Sequence, residues 1–297
     1  GDLESELREI RSINLFLSAL HGKLENPRPA SLNSVGYEGN IYPIFSFYDE
    51  SSGEREQKEL TPDAILWHVE NGIAIVLEIK GGGSVESDDV DQIRSYFSIP
   101  IKEIEQRIRN ISEDNSVRIE ELHYGIVYYE STIRSCLRSQ ECTGRLDSIS
   151  EDIMILCQKP HYQLTIFNPD TVDFDPELLE ILREGIPIEL NPRRSIYICD
   201  NPSPIGMAWG IINYVHDYFF EAGEDHLRTT GIQMRDEFRY ATPRPRTIER
   251  ALEQLARLPF CRREAQEYVF SYDRMETPEE LKDKIEHLFR TGMDKFF

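Results

Sequence analysis

The run Ile73-Ala74-Ile75-Val76-Leu77 is apolar at every position and ends in Glu78-Ile79-Lys80. A strand that is apolar on both faces belongs in the buried centre of a sheet. A carboxylate and an ammonium at the end of such a strand are costly to bury unless they pair with each other or hold a metal. Asn71-Gly72 leads into the run and is a strong hairpin signal, because both central positions of a type I′ turn need positive φ. A two-residue loop there puts Asp63, on the preceding strand, opposite Lys80, and period-two alternation places Glu78 on the same face. Opposed Cβ atoms lie about 4.5–5.5 Å apart and diagonal ones about 7–8 Å, so Asp63 and Glu78 can clasp one ion with Lys80 beside it.

The rest of the chain supplies elements around that strand. Apolar residues from Leu3 to Leu24 recur at three- and four-residue spacing, which predicts an amphipathic helix ended by Asn26-Pro27. Ile41 to Tyr48 and Ala64 to Val69 predict two strands before the Ile73 strand. After Gly81-Gly82-Gly83, helical spacing resumes over Asp88 to Arg109, then His123 to Tyr129 predicts another strand. A helix near Ser148 to Cys157 and a strand over Tyr162 to Phe167 follow. The order α-β-β-β-α-β predicts an α/β domain with a mixed central sheet over residues 1–167. Residues 168–225 are expected to be a Pro-rich connector with helices near Pro176 to Arg183 and Pro204 to Phe220. Residues 226–297 are expected to be helical, over Thr247 to Leu258, Arg262 to Phe270 and Pro278 to Phe289.

Composition narrows the function classes. The 297 residues carry 54 acidic and 33 basic side chains, a net charge of −21, which argues against coating nucleic acid or an anionic membrane by bulk charge. No apolar run reaches the ~18 residues of a membrane span. The first residues show no signal-peptide pattern. Cys136, Cys142, Cys157, Cys199 and Cys261 are odd in number and contain no CxxC pair, so reduced thiols in a cytoplasmic protein are expected, without a zinc or iron–sulfur site.

Pro62-Asp63 followed by Glu78-Ile79-Lys80 resembles the PD-(D/E)xK nuclease superfamily, whose restriction-endonuclease-like core has the αβββαβ order. The resemblance covers roughly residues 1–130. Gln92-Ile93-Arg94-Ser95-Tyr96 is similar to the QxxxY motif of RecB-like members, and residues four apart share a helix face. The resemblance implies Mg²⁺-dependent hydrolysis of phosphodiester bonds, with Mn²⁺ as a substitute. Asp63, Glu78 and the Ile79 carbonyl would hold the ion, Lys80 would orient or activate the attacking water, and Gln92 and Tyr96 would support them. Family members often add a fourth group from the first helix or the loop after it, and Glu6, Glu9, His21 and Glu38 are the candidates here. The order His21, Glu38, Asp63, Glu78, Lys80 also resembles cap-snatching endonucleases, which leaves an RNA substrate as an alternative to DNA. A nuclease-fold binding module without cleavage is the other alternative.

Residues 226–263 hold nine arginines against four acids, in contrast to the acidic residues 1–130. Arginine forks suit phosphate, so Arg239, Arg244 and Arg246 are the candidate nucleic-acid contacts, with helix-face salt bridges as the competing reading. Residues 251–289 resemble small three-helix UBA-like modules, which implies a protein partner for the C-terminal helices. A homodimer is left open. The expectation is a cytoplasmic DNA endonuclease of defence, repair or mobile-element processing.

Overall fold

A computed structural model describes residues 3–21, 31–49, 56–159, 163–188, 203–238 and 243–276, with 280–281 and 284–285. The chain divides into two compact units, residues 11–189 and residues 1–10 with 190–297. The first carries the sheet. Its elements are α1 (Leu3–His21, from residue 11 on), β1 (Tyr37–Ile41), β2 (Phe45–Asp49), β3 (Glu56–Leu60), β4 (Ala64–His68) and β5 (Ile73–Ile79). Then come α2 (Ser87–Ser95), a 3-10 turn (Tyr96–Ser98), α3 (Ile101–Ser112), β6 (Glu121–Tyr129), α4 (Glu130–Cys136) and α5 (Gln140–Asp147). The unit closes with β7 (Met154–Lys159), β8 (Gln163–Ile166), α6 (Pro176–Glu184) and β9 (Ile186–Pro187).

Seven strands form one mixed sheet in the order β1-β4-β5-β6-β7-β8-β9, parallel at β5/β6 and β6/β7 and antiparallel elsewhere. All seven residues of β5 are buried, as the uniform apolar run requires of a strand covered on both faces. One face packs Ile65, Trp67, Ala74, Val76 and Ile126 against Val90, Ile93, Ile104 and Ile108 of α2 and α3. On the other face α1 approaches closely at Gly39, where an added Cβ would lie 2.7 Å from Leu66 and 2.8 Å from Leu20. Gln158 of β7 donates to the Ser12 carbonyl of α1 at 2.9 Å on that same side.

Four local expectations are corrected. The strand over Ile41 to Tyr48 is two strands, because Tyr42 takes φ +49 and Pro43 follows, so β2 leaves the sheet and pairs with β3 in a separate hairpin. The helix over Asp88 to Arg109 is interrupted at Pro100, which lacks the N–H that a continuous helix needs. The region near Ser148 to Cys157 is not helical; Met154 onward is β7, a strand recruited by pairing with β6, and the helices α4 and α5 come earlier. The hairpin before β5 has four loop residues, 69–72, since His68 pairs with Ile73 and Ala64 with Leu77. Only Gly72, at φ +64, takes positive φ, so the turn is not type I′ and the register moves by two: Asp63 stands opposite Glu78, not Lys80. A shift of two preserves the face of every side chain.

Cys136 and Cys142 form a disulfide, which overturns the expectation of reduced thiols throughout. They end α4 and begin α5, and the intervening turn brings their Cα atoms to 5.1 Å. Cys157 and Cys261 are free and buried, and Cys199 lies outside the described residues.

The second unit contains α7 (Pro204–Ala222), β10 (His226–Thr229), α8 (Gly231–Glu237), α9 (Pro245–Leu255), β11 (Cys261–Glu264) and β12 (Glu267–Ser271). Its strands form a three-stranded sheet, β10-β12-β11, so residues 226–271 are not wholly helical and the UBA-like reading fails at its middle helix. Arg262 to Phe270 is a hairpin because Ala265 turns the chain at φ +57, and Tyr268, Val269 and Phe270 are buried strand formers. Most of the helix expected over Pro278 to Phe289 lies outside the described residues. Residues 168–225 divide between the units, α6 and β9 with the large sheet and α7 with the second unit. Among the described residues no helix is long and apolar enough to cross a membrane.

Candidate functional site

β5 ends in Glu78-Ile79-Lys80, and alternation turns Glu78 and Lys80 toward the face covered by α2. Lys80 N–H still donates to the Val127 carbonyl of β6 at 2.8 Å, so the ladder holds the strand straight through this end. Asp63 sits one residue before β4, and its Oδ2 accepts the Ile79 N–H at 2.6 Å. The bond pins the carboxylate to the backbone between Glu78 and Lys80. In an extended strand the N–H and C=O of one residue point to the same side, so Ile79 presents its carbonyl toward Asp63 as well.

Glu78 is only 2% exposed. Its Oε1 lies 2.8 Å from the Lys80 ammonium, and its Oε2 accepts the Tyr96 hydroxyl at 2.6 Å. Gln92 Nε2 donates to the Tyr96 hydroxyl oxygen at 3.1 Å, while its Oε1 accepts from Lys80 Nζ at 2.7 Å. The four side chains therefore form a closed ring, Glu78–Lys80–Gln92–Tyr96. Buried polar groups are tolerated when every member is satisfied, and this ring satisfies both oxygens of a buried carboxylate with one cation and one phenol.

The ring has a defined charge state. Burial pulls the Lys80 ammonium toward neutrality, but Glu78, with Asp89 and Asp63 behind it, outweighs that and raises its pKa above the ordinary lysine value. Burial and the adjoining Glu78 carboxylate hold the Tyr96 phenol far above its usual range, so it acts as a neutral donor. Asp63, Glu78 and Asp89 thus set three carboxylates about one ammonium. Lys80 pairs directly with Glu78 and Asp89, and the hard oxygen donors of Asp63 and Glu78 suit Mg²⁺. Among the described residues no cluster of three or more His, Cys, Asp or Glu has metal-binding geometry. An ion here would use two carboxylates, the Ile79 carbonyl and water, the sparse protein ligand set that Mg²⁺ accepts.

Other candidates fall elsewhere. His21 ends α1 and its Nδ1 lies 2.9 Å from Asn33 Oδ1, near the start of β1 and away from the Asp63 end of that strand. Glu38 is exposed and pairs in register with Trp67, four residues along β4 from Asp63, about 13 Å at strand spacing. Glu6 and Glu9 lie on α1, and their side chains are outside the described set. Arg244 and Arg246 are exposed at the start of α9, and Arg239 lies outside the described residues. Neighbouring arginines are engaged by acids: Arg228 and Arg262 meet at Glu264, and Arg263 pairs with Glu253 at 3.5 Å while facing the Tyr268 ring.

Two residues of the site were not evident from the sequence. Asp89 Oδ1 lies 3.4 Å from Lys80 Nζ, and its Oδ2 accepts from the Tyr128 hydroxyl and the Glu86 N–H, each at 3.1 Å. Asp89 reads as an ordinary acid in the first turn of a helix, but it lies three residues before Gln92 and seven before Tyr96, on their face. Tyr128 becomes a neighbour only once the β5/β6 register is known, with Glu78 beside Ile126. No protein-family model matches this chain, and no curated protein or solved structure matches it.

Proposed function

We propose that the chain is a metal-dependent nuclease of the PD-(D/E)xK type, in the RecB-like variant with QxxxY, hydrolysing phosphodiester bonds in DNA. The observation that carries the reading is the closed ring Glu78–Lys80–Gln92–Tyr96 with Asp63 opposite Glu78. The four ring residues, from the end of β5, from α2 and from the 3-10 turn after it, were chosen by motif spacing alone and lie within hydrogen-bond distance of their ring neighbours, and Asp63 lies within that distance of the Ile79 N–H.

In this reading Asp63, Glu78 and the Ile79 carbonyl hold Mg²⁺, which when bound polarises a phosphoryl oxygen and acidifies a water. Asp63 is oriented by the Ile79 N–H, and Glu78 by Tyr96. Lys80 stays protonated, so it orients the attacking water and stabilises charge on the phosphate and does not accept the water's proton. Gln92 receives the ammonium on its side-chain oxygen and holds Tyr96 in place with its amide nitrogen, which keeps both partners aimed while Glu78 serves the ion.

The test is a cleavage panel of supercoiled, linear and single-stranded DNA and RNA with Mg²⁺, Mn²⁺ or EDTA, run on wild type, Asp63→Asn and Lys80→Ala. Cleavage that needs the ion and drops by about 10²-fold or more in both variants is expected. Variants as fast as wild type would sink the assignment, and Mg²⁺ binding without cleavage of any substrate would turn the reading to a binding module.

A further inference from the structure

We infer that Asp89, held by Tyr128, is a positioning residue for the Lys80 ammonium; its catalytic consequence rests on the nuclease reading, whereas its contact with Lys80 does not. An ammonium has three N–H bonds and no acceptor. Three groups surround that of Lys80: Gln92 Oε1 at 2.7 Å, Glu78 Oε1 at 2.8 Å and Asp89 Oδ1 at 3.4 Å. Asp89 is itself fixed at its other oxygen, by the Tyr128 hydroxyl from the sheet and by the Glu86 N–H in the capping box of α2. Tyr128 is fully buried, so its hydroxyl ties the first turn of α2 to β6, the strand beside β5.

The tie matters because of what lies between Lys80 and α2. Residues 81–86 include three glycines, and this loop is anchored from outside by Thr132, which donates to the Gly82 carbonyl at 2.8 Å, and by Arg145, which donates to the Val85 carbonyl at 2.9 Å. Asp89 is the acidic group on the helix side that reaches Lys80. When Glu78 is committed to a cation, Asp89 and Gln92 are the two acceptors left to aim the ammonium. Asp89 does not share the Asp63 position opposite Glu78, and its second oxygen is taken by two donors, which marks it as a partner of Lys80 and not a metal ligand.

The experiment uses the 297-residue chain and two readouts. Asp89→Asn and Tyr128→Phe are close in shape to the residues they replace, and if Tyr128→Phe fails to fold then Asp89→Asn carries the test. Labelling of Lys80 by an amine-directed reagent, read by mass spectrometry, is expected to speed up about three- to tenfold in each variant, as the ammonium loses the charge of its third partner in Asp89→Asn and that partner's anchor in Tyr128→Phe. In cleavage, kcat is expected to fall about tenfold with KM within twofold, and the double variant to be no slower than Asp89→Asn, because Tyr128 acts through Asp89. Unchanged Lys80 labelling in Asp89→Asn overturns the inference, as does a tenfold loss of Mg²⁺ affinity in that variant, which would make Asp89 a ligand. A wild-type protein that cleaves nothing removes the nuclease reading, and labelling still decides the position of Lys80.

Discussion

Glu78 at the end of β5 shows how much a single buried charge commits its surroundings. At 2% exposure its two oxygens are met by Lys80 and Tyr96, and removing either partner leaves an acceptor without solvent. Lys80→Ala is expected to lower the free energy of unfolding by about 3 kcal/mol, as for other buried pairs stripped of one member. If ammonium and Mg²⁺ answer the same carboxylates, added Mg²⁺ should raise the urea midpoint of Lys80→Ala more than that of wild type, since the ion binds only the folded chain. An equal response in both proteins would count against the shared position. Asp63, Glu78 and Lys80 were legible in the sequence as charged groups at the end of an apolar strand and on its hairpin partner, and Gln92 and Tyr96 through their likeness to the QxxxY motif. Asp89 was not, because acids in first turns are common for capping reasons alone.

The elements show where local reasoning stops. Asn71-Gly72 marked the hairpin correctly, but the turn it makes was decided by Gly72 alone at φ +64, with Asn71 in ordinary backbone and its N–H donated to His68 Nδ1 at 3.2 Å. Gly72→Ala is therefore expected to cost about 1–2 kcal/mol, the penalty of a left-handed conformation for a residue with Cβ. Asn71→Ala is expected to cost less than about 0.5 kcal/mol as an exposed loop change. Urea denaturation of the two variants checks this, and equal losses would restore the type I′ turn. Residues 154–159 and 261–264 became strands because a partner was available, β6 for the first and β12 for the second. Periodicity within a segment carries no record of such a partner.

Across the whole molecule, burial sets a common response to alkali. Burial pushes the Cys157 thiol in the sheet unit and the Cys261 thiol in the second unit up to about 12 each, while an unfolded thiol titrates near 8.5. Both groups hold their protons longer when folded, so their contribution is complete below about pH 8.5 and is lost as pH rises toward 12. The phenols of Tyr96 and Tyr128, raised by burial and nearby carboxylates, add the same sign above about pH 10. Urea midpoints are expected to hold from pH 7 to 8.5 and then fall, with Cys157→Ala removing about half of the early part of the fall and Cys157→Ala with Cys261→Ala removing it; a flat profile to pH 10 would contradict buried thiols. At the same scale the net charge of −21 is unevenly placed: Asp63, Glu78 and Asp89 gather carboxylates about Lys80, and several arginines of residues 226–263 already answer acids. The central buried strand and the mixed α/β character follow from composition and spacing, and the five members of the candidate site from those together with a motif resemblance, all of which are read from one stretch of chain at a time. The register of Asp63 against Glu78, the strand at β7, the hairpin at residues 261–271, the Cys136–Cys142 bond and the Tyr128–Asp89–Lys80 contact were decided only in the folded chain, because each depends on which distant segment lies alongside.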